Sequence, residues 1–449
     1  MRAPLSPARR RSRPRIRHAL ALVVLMALAP QAHAAVVAQH LSAVDLFRIA
    51  DTARAKGKIA DAEAIYDALA RDPNPEVRAE ARFRHGMLLA GLKRYRRAAV
   101  LFRAILDEKP GATRVRLELA RVLAAMGDEA GARRQLRQAE AAGLPPEVAV
   151  VVNQFGNALH SAQRLGGSLQ LAVAPDSNIN RATSATTLDT IIAPLTLSQD
   201  ARQRSGLGFE GGGQAFARLA LAPNLDLVPR VSGQGDLYGD KEFDDISGSA
   251  TLGLEWRLGG DRISPSVGQT WRWYGGALYA RTQAVTVDWI HPMGPRAQLE
   301  AQATVGRARY DINSLQDGGL YAGSVSYERA LTPKLGASLT LDVTRQSADD
   351  PGYATWSGGG SVLAWRDLGR TTVFLSGGVH RLEGDARLFL FPERRLEWLY
   401  QAGAGATLRR FTWKGFAPVF RVNLERNQST VGLYDYQRVV TSFGITGAF

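Results

Sequence analysis

Residues 334–344, with the sequence KLGASLTLDVT, carry the pattern that decides the fold of most of this chain. Apolar side chains stand at every second position of this stretch, at Leu335, Ala337, Leu339, Leu341 and Val343. A period of two residues predicts a β-strand with one apolar face and one polar face. The same alternation recurs at 250–258, 296–305 and 416–424, so this strand is one of many.

Fourteen such strands are predicted in the second half of the chain. They span 166–174, 205–221, 225–238, 247–258, 262–274, 279–290, 296–310, 319–330, 334–346, 355–366, 371–383, 396–411, 415–427 and 437–449. Strands of about 9–11 residues or more are long enough to cross a bilayer at a tilt.

The connections between these strands alternate in length. The even-numbered ones are tight turns, and the odd-numbered ones are long, except for the short fifth connection at 275–278. Outer-membrane barrels have short periplasmic turns, long external loops and an even number of strands. We therefore predict a 14-stranded antiparallel transmembrane β-barrel over 165–449, with both of its ends in the periplasm.

The last strand carries a further signal. Phe443, Ile445 and Phe449 lie on one face of this alternating strand. An aromatic residue at the end of such a strand resembles the signal by which the outer-membrane barrel assembly machinery recognises its clients. We interpret these three residues as that signal.

The first half of the chain, rich in Ala, Arg, Leu and Glu, favours helix. Small residues followed by larger apolar ones recur at a spacing of 34–36 residues: Ala62, Tyr66 and Leu69; Ala98, Phe102 and Ile105; and Ala132, Leu136 and Ala139. Ala50, Gly86 and Ala120 precede these sets by 12 residues. The pattern resembles the tetratricopeptide repeat. It predicts a helical solenoid of about three repeats over 41–143 and a capping or linker helix over 144–164; the alternative is an unrelated α-hairpin bundle.

A solenoid of this kind has a concave groove that commonly holds an extended peptide or a partner helix. By repeat position, the groove residues are Phe47, Asp51, Phe83, Met87, Leu117 and Arg121. Phe83 and Met87 have a second interpretation, in which they are ordinary core residues.

The first 34 residues form a predicted secretory signal peptide. Seven arginines precede an uncharged apolar run at 19–29, and Ala32, His33 and Ala34 form a cleavage site. These arginines account for half of the formal charge of +14. The net charge of the rest of the chain is ordinary, so the composition argues against nucleic-acid binding.

Several kinds of chemistry are excluded or disfavoured by the sequence. The chain has no cysteine, which excludes disulfide scaffolds, thiolate metal sites and thiol catalysis. Its histidines have no metal-ligand spacing, and the G-x-G-x-x-G match at 206–211 lies inside a predicted strand, with no helix after it. We therefore expect no catalytic site, cofactor or metal.

The segment 175–180, PDSNIN, opens the first long loop. Asp and Asn side chains bind nearby backbone N–H groups, so a purely structural turn is one interpretation. With the repeats and the barrel, however, a P-D-x-N-[IV]-N stretch resembles the surface lipoprotein assembly modifier family. The residues that carry this resemblance are Pro175, Asp176, Asn178 and Asn180.

The resemblance implies an α + β multidomain protein in the cell outer membrane, with its repeat domain in the periplasm. It implies a translocon that moves lipoproteins, or related secreted proteins, to the cell surface. The implied partners are that client, periplasmic chaperones, the barrel assembly machinery and outer-membrane lipids. Two alternatives remain open, namely an exopolysaccharide export porin and a general porin or adhesin.

Overall fold

The computed structural model describes residues 42–141, 165–294, 296–369, 371–411, 413 and 416–448. The signal peptide, the helix at 144–164 and Phe449 lie outside these ranges. Six helices come first: α1 (Ala43–Ala55), α2 (Ile59–Leu69), α3 (Pro75–Gly91), α4 (Tyr95–Glu108), α5 (Thr113–Ala125) and α6 (Glu129–Ala141). No helix of the described residues is long and apolar enough to cross a membrane.

The helices pack as three consecutive hairpins, and the repeat positions form their core. Ala50, Ala62, Ala98, Phe102 and Ala120 are all less than 2% exposed. Gly86 is required where α3 crosses α4, because a Cβ atom there would lie 2.6 Å from the Phe102 ring. The small residues at these positions therefore let neighbouring helices approach closely, as the repeat pattern predicts.

Fourteen strands follow: β1 (Leu165–Asp176), β2 (Gly206–Ala217, continued by Leu219–Ala222), β3 (Leu225–Tyr238), β4 (Asp245–Leu258), β5 (Asp261–Tyr274), β6 (Ala277–Pro292), β7 (Ala297–Tyr310), β8 (Gly318–Thr332), β9 (Leu335–Gln346), β10 (Thr355–Leu368), β11 (Thr371–Arg387), β12 (Arg394–Leu408), β13 (Ala417–Ser429) and β14 (Tyr436–Ala448). Each strand pairs antiparallel with the next, and β1 pairs with β14. The predicted closed 14-stranded barrel is confirmed.

The alternation sets which side chains face outward. On β4, Leu252, Leu254 and Trp256 are 38–49% exposed, whereas Glu255 between them is 5% exposed. The apolar row therefore faces outward and the polar row faces the barrel interior. The mouth where β1 begins and β14 ends carries the short turns, and we call it the periplasmic mouth.

Two local details differ from the prediction. The second strand, predicted as continuous over 205–221, is interrupted at Arg218, whose guanidinium lies 3.4 Å from the buried carboxylate of Glu255. The first long loop contains two short paired strands, Thr187–Leu188 and Leu195–Thr196, which are too short to leave a periodic signal.

The fifth connection is short, as predicted, and forms a turn at Gly275 and Gly276, both with positive φ.

Candidate transport path and repeat groove

Helix α6 holds the repeat region against the periplasmic mouth of the barrel. The guanidinium of Arg137 donates a 3.1 Å hydrogen bond from Nη1 to Oε1 of Gln298 on β7. Its Nη2 atom pairs with the Glu328 carboxylate on β8. Arg137 is only 7% exposed, so this contact is a largely desolvated ion pair that connects the two parts of the chain.

A cavity of about 410 Å³, lined by both charged and apolar side chains, lies between helices α4–α6 and the barrel turns. Arg116 lines it and is 3% exposed. Its Nη1 atom donates to Oε1 of Gln135 and of Gln138, at 3.0 and 2.7 Å. Burial lowers the pKa of Arg116 to about 10. The group is still a cation at neutral pH, so the helices present positive charge to the barrel mouth.

The barrel interior is polar and partly crossed by side chains. A cavity of about 910 Å³ is lined by residues of β1–β5, among them Gln170, Glu210, Gln234 and Asp236. The Arg421 Nη2 atom donates a 2.9 Å hydrogen bond across the lumen wall to Oε1 of Gln170. The charged candidates on the polar faces of the strands, Glu255, Arg257, Glu300, Asp342 and Arg421, share the inward register.

Four external loops meet in an apolar cluster, which we call the cap. Its buried members are Leu188 from the first loop, Leu388 and Phe391 from the eleventh connection and Val431 from the thirteenth. Tyr353, from the ninth connection, packs against them. A backbone hydrogen bond of 3.0 Å from Ile191 to Leu390 adds to this contact. The cap joins loops that lie far apart in the sequence.

The PDSNIN segment fixes the start of the first external loop. Asn178 is fully buried, and its Nδ2 atom donates to the carbonyl oxygens of Ala182 and Gln437, both at 2.9 Å. Its Oδ1 atom accepts from the Ala182 N–H group at 3.0 Å. Asn180 likewise binds the carbonyl oxygen of Arg202 at 2.7 Å. These amides bind backbone groups on both sides of the loop and on β14.

Asp176, the last residue of β1, completes this anchor, and Pro175 precedes it in the strand. The Oδ2 atom of Asp176 accepts from Nε and Nη2 of Arg438, at 2.9 and 2.6 Å, and from the Tyr238 hydroxyl at 3.1 Å. Its Oδ1 atom accepts from the Asn178 N–H group at 2.8 Å. The motif therefore acts as a structural anchor in this structure.

The predicted groove residues fall into two environments. Phe47 and Asp51 line an open groove of about 690 Å³ together with Arg48, Lys56 and Arg84. Asp51 is fixed by a 2.5 Å ion pair with Arg84 and by a 2.7 Å hydrogen bond from the Tyr66 hydroxyl. Burial, reinforced by this bond, raises the pKa of Tyr66 to about 12.

The remaining four candidates are not gathered in this groove. Phe83, Met87 and Leu117 are partly buried and pack against the larger helical core, in agreement with the interpretation of Phe83 and Met87 as core residues. Arg121 pairs with Glu118 of its own helix at 2.9 Å. A binding role for these six residues stays a prediction.

The proposed assembly signal lies on the last strand. Phe443 and Ile445 are 60% and 40% exposed on the outward face of β14, beside Val173 and Leu171 of β1. Their exposure agrees with the alternation from which they were selected, and their role in assembly stays a prediction.

Sequence reasoning did not identify Arg137, Glu328 or the cap residues. Arg137 stands among several arginines of α6, and the partner carboxylate follows 191 positions later. No local pattern distinguishes it from a solvated helical arginine. Sequence reasoning also placed no weight on the scattered apolar residues of the long loops.

The architecture defines an outer-membrane β-barrel preceded by periplasmic tetratricopeptide-type helices. The chain belongs to the surface lipoprotein assembly modifier family, whose sequence profile matches residues 167–444. A tetratricopeptide repeat profile matches residues 89–150. No curated protein matches the chain in sequence.

Solved outer-membrane barrels resemble this chain only remotely. A bacterial polysaccharide outer membrane secretin is 11% identical with a TM-score of 0.34, and the match covers 63% of this chain and 98% of that one. An anion-selective porin from Comamonas acidovorans is 12% identical with a TM-score of 0.37, covering 64% and 98%. These similarities are too remote to support a functional conclusion.

Proposed function

We propose that this protein is an outer-membrane translocon that delivers lipoproteins, or related secreted proteins, from the periplasm to the cell surface. The family description supports this role. The observation that carries it is the attachment of the repeat region to the periplasmic mouth through Arg137, Gln298 and Glu328. In this proposal, the helical domain at the entrance receives the client before the client enters the barrel.

Contacts at both ends of the barrel support a path that is closed at rest and opens during transport. The cap residues Leu188, Leu388 and Phe391 join the external loops, and the docked helices lie against the periplasmic mouth. The polar interior suits an extended hydrophilic segment more than a folded domain, since a barrel of 14 strands encloses a narrow lumen. Folding of the client outside the cell gives the direction of transport in this proposal.

The open groove at Phe47 is the proposed receiving surface for the client or its chaperone. It combines one aromatic ring with three cations, Arg48, Lys56 and Arg84, around a single carboxylate, Asp51. Arginine and aromatic residues are frequent in protein interfaces. This composition favours an acidic or amphipathic segment as the occupant.

Surface display tests the proposal. The chain is expressed in a Gram-negative host together with a candidate lipoprotein encoded beside it, and exposed client is measured by proteolysis of intact cells. We expect the client to be cleaved only when the full chain is present. Unchanged display after deletion of the chain, accompanied by loss of surface polysaccharide, would overturn the proposal in favour of polysaccharide export.

A pair of matched variants tests the groove. The double variant Arg48→Glu/Lys56→Glu reverses two exposed charges in the groove, and Arg71→Glu/Lys58→Glu reverses two exposed charges outside it. We expect the first variant to lose client display and the second to retain it. Equal display by both variants, at equal barrel levels in the membrane, would exclude this groove as the receiving surface.

A further inference from the structure

Arginines on several strands stand at the same height on the outward face of the barrel. The outward rows are apolar through the middle of each strand and change to arginine near the external end. On β7 the row changes from Val305 to Arg307, on β9 from Val343 to Arg345, and on β11 from Val379 to Arg381. The change marks the external boundary of the apolar band.

Carboxylates of the protein neutralise most of these arginines. Arg345 pairs with Asp385 at 2.5 Å, Arg381 pairs with Glu383 at 2.7 Å, and Arg426 on β13 pairs with Asp435 at 2.5 Å. Arg281 on β6 pairs with Asp311. The protein therefore supplies its own anions around much of this boundary.

Arg307 and Arg309 on β7 are different. Both are exposed, and neither forms an ion pair or a hydrogen bond within the part of the chain that the structure describes. Arg309 lies directly opposite Arg281 in the β6–β7 ladder. Like charges in such a pair are destabilising unless an anion lies between them. Of the three guanidinium groups, those of Arg281, Arg307 and Arg309, only that of Arg281 has a carboxylate partner among the described residues, Asp311.

The position of these three arginines relative to the membrane indicates which kind of anion they bind. Val305, one step below Arg307 on the same face, lies opposite Tyr321 of β8, and both are more than half exposed. Aromatic residues mark the interface of a membrane barrel, so the three arginines lie at the level of the outer-leaflet headgroups. A guanidinium binds phosphate through two parallel hydrogen bonds, and basic sites at this depth bind lipid headgroups.

We propose that the outward face of β6 and β7 is a binding site for the phosphate groups of the outer-leaflet glycolipid, held by Arg281, Arg307 and Arg309. The ligand is the phosphorylated lipid A portion of lipopolysaccharide. One lipid at this site places a double negative charge between the opposed Arg281 and Arg309. The site anchors the barrel on one side, independently of what the lumen transports.

The test compares lipid binding by two double variants of the full chain. Arg307→Gln/Arg309→Gln removes the two unpaired external cations. Arg329→Gln/Arg366→Gln removes two exposed outward cations at the opposite, periplasmic boundary. Each protein is purified in detergent, its folding is verified by heat-modifiable gel migration, and titration with purified lipid A is followed by native mass spectrometry.

We expect the external variant to bind lipid A roughly 30-fold more weakly, which corresponds to about 1 kcal/mol for each of two arginines. The periplasmic variant should bind like the original protein. Equal affinity of the two variants would overturn the proposal. So would competition by inorganic phosphate or by a phospholipid at the same concentration, since either result would assign the arginines to phosphate in general.

Discussion

At the scale of single residues, Gly86 shows how the helical repeats depend on the absence of a side chain. We expect Gly86→Ala to destabilise the repeat region by about 1–3 kcal/mol, since its methyl group would overlap the fully buried Phe102 ring. Thermal loss of the helical circular dichroism signal measures the effect. Gly91→Ala is the control, because Gly91 ends the same helix with nothing within 4 Å, and we expect it to be neutral or stabilising.

His85 makes the stability of the repeats dependent on pH. The side chain is 2% exposed, and burial lowers its pKa below the ordinary 6.5, although Asp67 Oδ1 lies 3.1 Å from Nδ1. As the pH falls below 6.5, the unfolded chain binds a proton that the folded chain excludes. The free energy of unfolding therefore decreases as the pH falls from neutral through 6.5.

The variant His85→Gln tests this linkage. Denaturant unfolding of the helices is measured at several pH values through this range. We expect a shallower loss of stability in the variant, because glutamine does not titrate. An unchanged slope would show that other groups cause the acid sensitivity.

At the scale of elements, the anchor of the first external loop depends on the amide of Asn178. Asn178→Ala removes three hydrogen bonds and leaves the carbonyl oxygen of Gln437 without this donor. The expected cost is about 1–3 kcal/mol, concentrated in the loop. Protease cleavage between 177 and 205 in intact cells should accelerate. Asn313→Ala, which removes one 3.2 Å bond in another external loop, should leave this cleavage unchanged.

The strands are the part of the fold that the sequence predicts best. The sequence predicts the eighth strand at 319–330, and the strand spans Gly318–Thr332, because alternation is a local property that extends along the whole strand. The break at Arg218 and the cap were not predictable in this way. Both depend on contacts with residues that are distant in sequence, such as Glu255 for Arg218.

The candidate functional surfaces are likewise predictable where a repeating pattern locates them, and not where they depend on distant contacts. Phe47 and Asp51 were located by repeat position, since each repeat places equivalent residues on equivalent faces. The same rule also selected Phe83 and Met87, because position within a repeat does not distinguish an open face from one that packs on the next helix. This rule did not select the docking residue Arg137, although Arg103, 34 residues earlier, also faces the barrel and lines the cavity beside Asp367.

At the scale of the whole molecule, the ion pair of Arg137 and Glu328 determines whether the helices stay on the barrel. Arg137→Glu places two carboxylates together and should weaken docking by about 3 kcal/mol. The amides of α6 should then exchange hydrogen faster. The double variant Arg137→Glu/Glu328→Arg should restore slow exchange, and Arg121→Glu, whose partner Glu118 lies on its own helix, should not change it.

A failure of the charge swap to restore slow exchange would show that Gln298 and the surrounding packing determine docking. Single-channel conductance gives a second readout of the same variants. Undocking should increase the open probability of the barrel, because the helices then leave the periplasmic mouth.

The cap has a consequence for immune recognition. Leu188, Leu388, Phe391 and Val431 come from three separate connections, so the cap joins external loop segments that meet only after folding. Its epitopes are therefore discontinuous. A serum raised against isolated loop peptides should recognise boiled protein on a blot and label intact cells poorly, whereas antibodies selected on the folded barrel should show the reverse.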